Sequence, residues 1–252
     1  NLDRLFDIYR ERFGNASDFK FFFVGNFDEN KLKTYIQKYL GTLPGNGKTE
    51  EWIDRNIDMV KGKIDKTIYH GIAPKTYVDR TYHGDFNWSP ENEFLLNSLV
   101  KVMSIKLRES LREDKGGVYG VRVYGYGWRE PEQEYKLSFS FNSNPENAQD
   151  LIKAADEVIN KLKTEGPDQE VMTKIKETKK QSRIKNLKEN RFWLNQMSSV
   201  VKKGLDFSEL TLEMLQSRLD KLTAEDIKKA ANKYLNEASM IEVKMYPESS
   251  KK

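Results

Sequence analysis

The sequence predicts an α+β fold: a mainly antiparallel sheet with helices packed on one face, preceded by a partial α/β segment of another domain. From residue 75 onward, the predicted elements run strand, helix, two strands, several helices and a closing strand. That order is typical of helices segregated on one side of an antiparallel sheet. Hydrophobic residues make up 37% and aromatic residues 12% of the 252, which is enough for a buried core.

The first 47 residues predict a helix, a strand and a second helix. Residues 2–13 carry apolar side chains at helical spacing, and the run "DFKFFFVGNFD" that follows is typical of a buried strand. Asp28 can cap the next helix, which Gly41 and Pro44 end. Because one strand cannot form a sheet, we expect residues 1–47 to be the C-terminal part of a preceding domain, cut from a longer protein.

Residues 48–74 predict a polar linker and a first strand, and residues 75–252 predict a C-terminal domain. After a strand at 75–83, Ser89 can cap a long helix, and Pro90 suits its first position. Two strands follow, "VYGVRVYGYGW" and "EYKLSFSFN", joined by a polar turn. These elements supply most of the predicted sheet.

The remainder of this domain predicts mainly helices. A helix begins near Pro145, and Thr223 with Asp226 resembles a capping box at a later helix start. The remaining elements are a long polar helical stretch to about Lys203, helices near 208–221 and 224–235, and a last strand at 239–246.

The composition excludes several classes of site and partner. The absence of cysteine excludes disulfides, thiolate zinc sites and cysteine nucleophiles. A net charge of +4 is too mild to imply a nucleic-acid partner, and we predict none. No apolar run approaches the ~20 residues that a membrane helix needs, so no membrane span is predicted.

Three patterns that suggest chemistry have simpler structural interpretations. His70 and His83 lack the close spacing of zinc ligands, so we predict edge-strand or surface histidines and no metal site. The glycines of "YGYGWRE" lack the dinucleotide-binding context, and they suit a twisted or bulged strand end. The basic stretch 174–191 could attract phosphates or an acidic peptide, but it more often forms a solvated face whose lysine stems cover apolar surface.

The stretch "LREDKGGVYGV" joins a predicted helix to a predicted strand. Gly116 or Gly117 can supply the left-handed residue that ends the helix. Arg112 offers a rigid fork of donors suited to carbonyl or carboxylate groups, and the hydroxyl of Tyr119 can donate to a developing oxyanion. From the residues alone, a structural role and a ligand-binding role for this pair both stay open.

Two longer segments resemble the zinc metallopeptidases of the pitrilysin/insulinase type. "YRERFGNASDFKFFFVGNFDENKLKTYIQKYLGTLP" is similar to a family segment of helix, aliphatic strand and helix that ends in Y-[LF]-G-x-L-P. "LRESLREDKGGVYGV" is similar to a segment that runs from a helix into L-R-E-x-x-G-x-[AVT]-Y-x-V. The two matches occur in the family's order and spacing.

The resemblance implies a protein of two similar halves that close like a clamshell around a peptide chamber. The catalytic half of such a protein holds zinc through an H-x-x-E-H motif and a distant glutamate, and this sequence has no such motif. It resembles the half that holds no metal, so no catalytic residue is expected here, and zinc is expected on residues outside this chain. The expected partners are a peptide substrate and the catalytic N-terminal half of the same chain, and a homodimer is compatible with the resemblance.

By the same resemblance, Arg112 and Tyr119 hold substrate backbone against the zinc site, and Gly116 and Gly117 let the turn approach the peptide. The resemblance thus implies a zinc endopeptidase whose substrate-binding half, without the zinc motif, is inactive alone. Two alternatives remain: a non-catalytic scaffold subunit of the same family, and a module that binds through the basic stretch. Bacterial relatives of this length are commonly exported, which favours the cell envelope or periplasm over the cytoplasm.

Overall fold

The computed structural model describes residues 1–114 and 118–251, without the side chains at positions 113, 114 and 119. Contacts divide the chain into two compact units. The first unit holds residues 1–54 and 182–215, and the second holds residues 55–181 and 216–252. In the described ranges, no helix has the length and apolar character needed to cross a membrane.

Four of the five described strands lie in the middle of the chain, between residues 64 and 143, and most of the described helices follow them. The strands are β1 Ile64–Tyr69, β2 Thr76–Asp85, β3 Val118–Trp128, β4 Glu134–Ser143 and β5 Met240–Tyr246. The described α-helices are α1 Leu2–Phe13, α2 Glu29–Tyr35, α3 Pro90–Arg108, α4 Ala148–Thr164, α5 Gln169–Asn186, α6 Asn190–Lys203, α7 Leu212–Lys221 and α8 Ala224–Tyr234.

The second unit contains one five-stranded sheet in the order β1-β5-β2-β4-β3. The β5–β2, β2–β4 and β4–β3 pairs are antiparallel, and β1 pairs with β5 in parallel. The predicted α+β class is therefore confirmed, with a mixed sheet that is mainly antiparallel. β3 and β1 are the two edges of this sheet.

One face of the sheet carries the core. Strand residues alternate between faces, and the apolar members of β4 (Tyr135, Leu137, Phe139 and Phe141) are all at most 4% exposed. They pack with the buried faces of α3, α4 and α8 and with the first turns of α5. The strand residues between them point to the opposite face, here called the polar face, which includes Ser138 and Ser140 of β4 and Thr81 and His83 of β2.

Ionic groups are also buried on the core face. The guanidinium of Arg80 contacts the carboxylates of Glu242 in β5 and Asp156 in α4, and it lies 5.4 Å from the ring centroid of Phe139. Lys244 forms ion pairs with Glu242 at 3.3 Å and with Asp65 in β1 at 2.6 Å. Each buried charge is thus paired, as burial in a region of low polarity requires.

Several predicted helix starts have the expected caps. Ser89 Oγ accepts a hydrogen bond from the backbone N–H of Asn92 at 3.1 Å, and Pro90 is the first residue of α3. Thr223 and Asp226 form a reciprocal capping box at the start of α8. Asp28 caps α2 through the backbone N–H of Lys31. These local rules are confirmed because they depend only on neighbouring residues.

Two predictions about single elements are wrong. The helical stretch predicted to run unbroken to Lys203 is interrupted at residues 187–189, where the carbonyl of Leu187 accepts a hydrogen bond from Trp193 Nε1 at 2.9 Å. The predicted buried strand in "DFKFFFVGNFD" is not a strand. It has no ladder partner in the described residues, and Phe21 and Phe23 are 47% and 43% exposed.

The first unit has an exposed apolar helix face. Leu2, Leu5, Phe6, Tyr9 and Phe13 of α1 are each more than half exposed. Residues 182–215 are grouped with residues 1–54 in this unit by their contacts. Val200 and Leu210 are among its few buried apolar residues.

Candidate functional site

Arg112 lies on the last turn of the helix that leads to β3. α3 continues as a π-helical stretch, Glu109–Asp114, in which Leu111 is fully buried and Arg112 is exposed. Lys106 holds this helix end to the turn before α5, because its Nζ lies 2.8 Å from Asp168 and 3.2 Å from Glu109. These contacts raise the pKa of Lys106, mainly through the hydrogen bond to Asp168. Arg112 therefore projects from an anchored helix end.

The other predicted site residues lie at or beyond the limits of the described chain. Gly116 and Gly117 lie outside the described residues. Tyr119 lies in β3 next to its first residue, Val118, but its side chain is not described. The ladder shifts register between Val118 and Val121, so two β3 residues face Asn142 alone, which is the pattern of a β-bulge.

A shallow cavity lies beside this bulge. It has a volume of about 420 Å³ and is lined by Tyr77, Gly120, Arg122, Ser140 and Asn142, with the backbone of neighbouring β3 and β4 residues. Tyr77, Arg122, Ser140 and Asn142 belong to the polar face by their register. The start of β3 thus combines a bulge with a polar cavity, and the helix end that carries Arg112 precedes it in the chain.

Beyond the bulge, β3 presents a row of aromatic side chains on the polar face. Tyr124 and Tyr126 are 42% and 51% exposed, and the rings of Tyr126 and Trp128 lie 5.4 Å apart. β3 pairs only with β4 among the described strands, so the backbone groups on its other edge have no ladder partner there. These aromatics are not among the predicted site residues, although their spacing of two in "YGYGW" indicates side chains on one face of a strand.

The glycines between these aromatics have a different role from the predicted one. Gly125 and Gly127 lie on the core face, where a Cβ on Gly125 would come within 2.8 Å of Val100 Cγ2 in α3. A Cβ on Gly127 would come within 2.3 Å of Phe86 Cε1. These glycines were expected to relieve a twisted or bulged strand end. The structure shows instead that they let β3 pack closely against the core, where a Cβ would not fit.

The two histidines do not form a metal site. His70 is exposed just after β1, as predicted, but His83 lies in β2 inside the sheet and is 5% exposed. The prediction of an edge or surface position was wrong for His83, because the polar residues around it in the sequence suggested exposure while the sheet covers its strand on both sides. Among the described residues, no group of three or more His, Asp or Glu side chains is placed to hold a metal ion.

Two basic side chains of the stretch 174–191 contact protein groups. Lys179 lies 4.7 Å from the ring centroid of Phe94, and Arg183 donates a hydrogen bond to the carbonyl of Leu210 at 2.7 Å. Arg183 also lies 5.5 Å from the ring centroid of Phe192. These contacts support the interpretation that its side chains cover apolar surface.

Comparison with known proteins identifies the family. A family model described as "Peptidase M16 inactive domain" matches residues 1–179. The chain belongs to this family. The match confirms the resemblance to zinc metallopeptidases and to their non-metal-binding domain, since the matched model is the inactive one.

A curated relative is consistent with membership in the M16 family. The probable zinc protease PqqL of Haemophilus influenzae is 24% identical over 179 residues, which cover 68% of this chain and 18% of that protein. The chain therefore spans about a fifth of the length of this curated relative.

Solved structures share the fold. The periplasmic protease PqqL from Escherichia coli aligns with a TM-score of 0.69 at 18% identity, over 88% of this chain and 24% of that chain. A protease from Helicobacter pylori aligns with a TM-score of 0.72 at 18% identity, over 89% of this chain and 54% of that one. At these identities, the structural likeness shows the fold alone.

Proposed function

We propose that this chain is the substrate-binding, non-catalytic half of a zinc-dependent endopeptidase. The observation that carries the proposal is the position of Arg112, exposed on an anchored helix end beside a free-edged strand with an aromatic row. Membership in the M16 inactive-domain family supports it. So does the name of the Haemophilus influenzae relative, a probable zinc protease.

The chemistry of these groups suits the backbone of an extended peptide. The guanidinium of Arg112 can donate two parallel hydrogen bonds to peptide carbonyls, and the hydroxyl of Tyr119 can donate a third. The free edge of β3 can add a peptide as a further strand through main-chain hydrogen bonds. In this proposal, Gly116 and Gly117 allow close approach because they carry no side chain. Together these groups fix the peptide in place for cleavage elsewhere in the protein.

The described residues do not fit a zinc ion. They contain no cluster of suitable ligands, and His70 lies exposed just after β1 while His83 is buried within β2. Zinc therefore belongs, in this proposal, to a catalytic half in the same polypeptide, and no step of the chemistry is assigned to residues of this chain. Its residues bind and orient the peptide.

We also propose that residues 1–47 complete a preceding α+β domain, with 48–74 as linker and first strand and 75–252 as the C-terminal domain. The exposed apolar face of α1 and the unpaired run at Phe21 and Phe23 support this assignment, since both lack the partners that a full domain would supply. The bacterial relative described as a periplasmic protease supports the periplasm as the compartment, with the cytoplasm as the alternative.

The proposal is tested in the full-length protein by Arg112→Ala and Tyr119→Phe. We expect each variant to lower kcat/KM on a peptide substrate by about 10- to 1000-fold, as for loss of a donor to a developing oxyanion. Arg191→Ala is the matched control, because Arg191 is exposed in α6 and belongs to the basic stretch.

Unchanged kcat/KM in the Arg112 and Tyr119 variants, with unchanged stability, would remove both residues from the site. A loss in the Arg191 variant alone would favour binding through the basic stretch. A full-length protein that binds peptides but has no H-x-x-E-H motif and cleaves nothing would be a scaffold subunit instead.

A further inference from the structure

An acidic cavity lies at the opposite end of β3 from Arg112. Its volume is about 510 Å³, and its lining includes Asp85 at the end of β2, Glu134 at the start of β4, Glu132 in the preceding turn and Asp58. Asp85 and Glu134 face each other directly in the β2–β4 ladder. Like charges opposite one another destabilise a sheet, so this pair is unfavourable for folding alone.

The carboxylates of this cavity have no close cationic partner in the described part of the chain. None of the four forms an ion pair within 4.0 Å there, although Lys61 and Lys233 also line the cavity. The pKa of Glu134 is raised, first by burial and then by the charges of Glu132, Asp58 and Asp85, against the opposing charge of Lys61. A cationic ligand would relieve this repulsion.

His83 adds an unsatisfied acceptor to the same cavity. Its side chain lines the cavity and is 5% exposed, and its Nε2 has no hydrogen-bond partner among the described residues. A hydrogen bond with the backbone of Val60 acts to raise the pKa of His83, so we assign the N–H of the neutral imidazole to its other nitrogen and leave Nε2 as a lone-pair acceptor. Burial lowers the pKa of His83 and so favours this neutral form. An acceptor without a donor points to a ligand with N–H groups.

Aromatic rings flank the cavity on the edge strand. Trp128 is opposite Glu134 in the β3–β4 ladder, and its ring lies tilted against the half-exposed ring of Tyr126. A lysine or arginine side chain that approaches Glu134 from the β3 edge can lie along these rings, which adds cation–π attraction. Carboxylates, a neutral imidazole acceptor and aromatic faces together match a basic side chain.

We infer that this cavity is a subsite for a lysine or arginine side chain of an extended peptide that pairs with β3. The inference rests on the proposed function and adds a substrate class to it. Tyr119 and Trp128 lie nine positions apart in β3, about 30 Å of extended chain. The subsite therefore selects long peptides whose basic residue lies far from the position held by Arg112.

The test measures peptide binding to the full-length protein with its zinc removed by a chelator, so that no peptide is cleaved. The probes are peptides of about 15 residues, long enough to span the ~30 Å. They share one neutral sequence in which a single lysine replaces glutamine at successive positions. We expect one lysine position to tighten binding at least tenfold, and the combined change Glu132→Gln with Glu134→Gln to abolish that gain. Glu146→Gln, an exposed residue beyond the far end of β4, is the matched control and should retain it.

The outcomes separate the two proposals. If peptides bind with equal affinity whatever the position of the lysine, the subsite is wrong while peptide binding stands. If no peptide binds, both the proposed function and the subsite fail. Saturable calcium or magnesium binding that the double variant loses, without any lysine preference, would assign the cavity to a divalent cation and overturn the subsite. Circular dichroism of each variant checks that a lost preference for one lysine position does not result from unfolding.

Discussion

Asp85 and Glu134 occupy directly opposed positions of the β2–β4 ladder, with both side chains on the polar face of the sheet. Such a pair is unfavourable unless it has a partner outside the chain. Its position at the end of β3 opposite to Arg112 gives the proposed peptide-binding surface two chemically different ends.

Neutralising one member of this pair should stabilise the protein. Glu134→Gln removes the repulsion from Asp85, Glu132 and Asp58, so we expect a gain of about 0.2–1 kcal/mol in the free energy of unfolding. For a chain of this size, that gain corresponds to a rise in Tm of about 0.4–4 °C. Differential scanning calorimetry at pH 7 measures it, with Glu146→Gln as the control. A lower Tm for Glu134→Gln would mean that the carboxylate is needed for folding and not for a ligand.

The close packing of β3 against the core predicts that alanine substitution lowers the stability of the protein at one glycine of β3 and not at another. In Gly127→Ala, the added methyl group collides with Phe86, which should cost about 1–3 kcal/mol of unfolding free energy. Gly120→Ala is the control, since no described atom lies within 4 Å of the added Cβ. Urea titration of both variants measures the difference. Equal stability would show that β3 can move away from Phe86 without penalty.

The buried imidazole of His83 predicts a pH dependence of stability. Its folded-state pKa is lowered below the ordinary 6.5 by burial, against the hydrogen bond to Val60 and together with the charge of Lys136. The unfolded chain therefore takes up a proton at higher pH than the folded chain does. Stability contributed by neutral His83 is present above pH ~6.5 and falls as the pH drops from there toward the lower folded-state pKa.

The change in unfolding free energy between pH 7.5 and pH 5.5 tests this in wild type, His83→Gln and His70→Gln. We expect a smaller loss on acidification in His83→Gln, and a wild-type loss in His70→Gln, because His70 is exposed. The comparison uses the change with pH, so an overall weakening of His83→Gln does not affect it. Parallel pH profiles for wild type and His83→Gln would contradict the assignment.

The purified 252-residue chain should have no peptidase activity, with or without added zinc. The described residues offer no cluster of metal ligands and therefore no place to activate water. Hydrolysis of a fluorogenic peptide over a range of zinc concentrations measures this. Zinc-dependent cleavage by the chain alone, abolished by a chelator, would refute the assignment of this chain to the non-catalytic half.

The sequence determined the parts of this protein that depend on neighbouring residues. Ser89 with Pro90, and Thr223 with Asp226, mark helix starts because caps are satisfied within one turn. The limits of β3 follow from its aromatic and β-branched run, and the family follows from two segments with specific order and spacing.

Only the tertiary structure decided which side chains meet across the sheet. The opposition of Asp85 and Glu134 depends on a strand register fixed by two segments that lie 49 positions apart in the chain. The burial of His83 and the contact of Gly127 with Phe86 depend likewise on how the core packs. Local sequence does not encode such long-range contacts, because they exist only when separate elements are brought together.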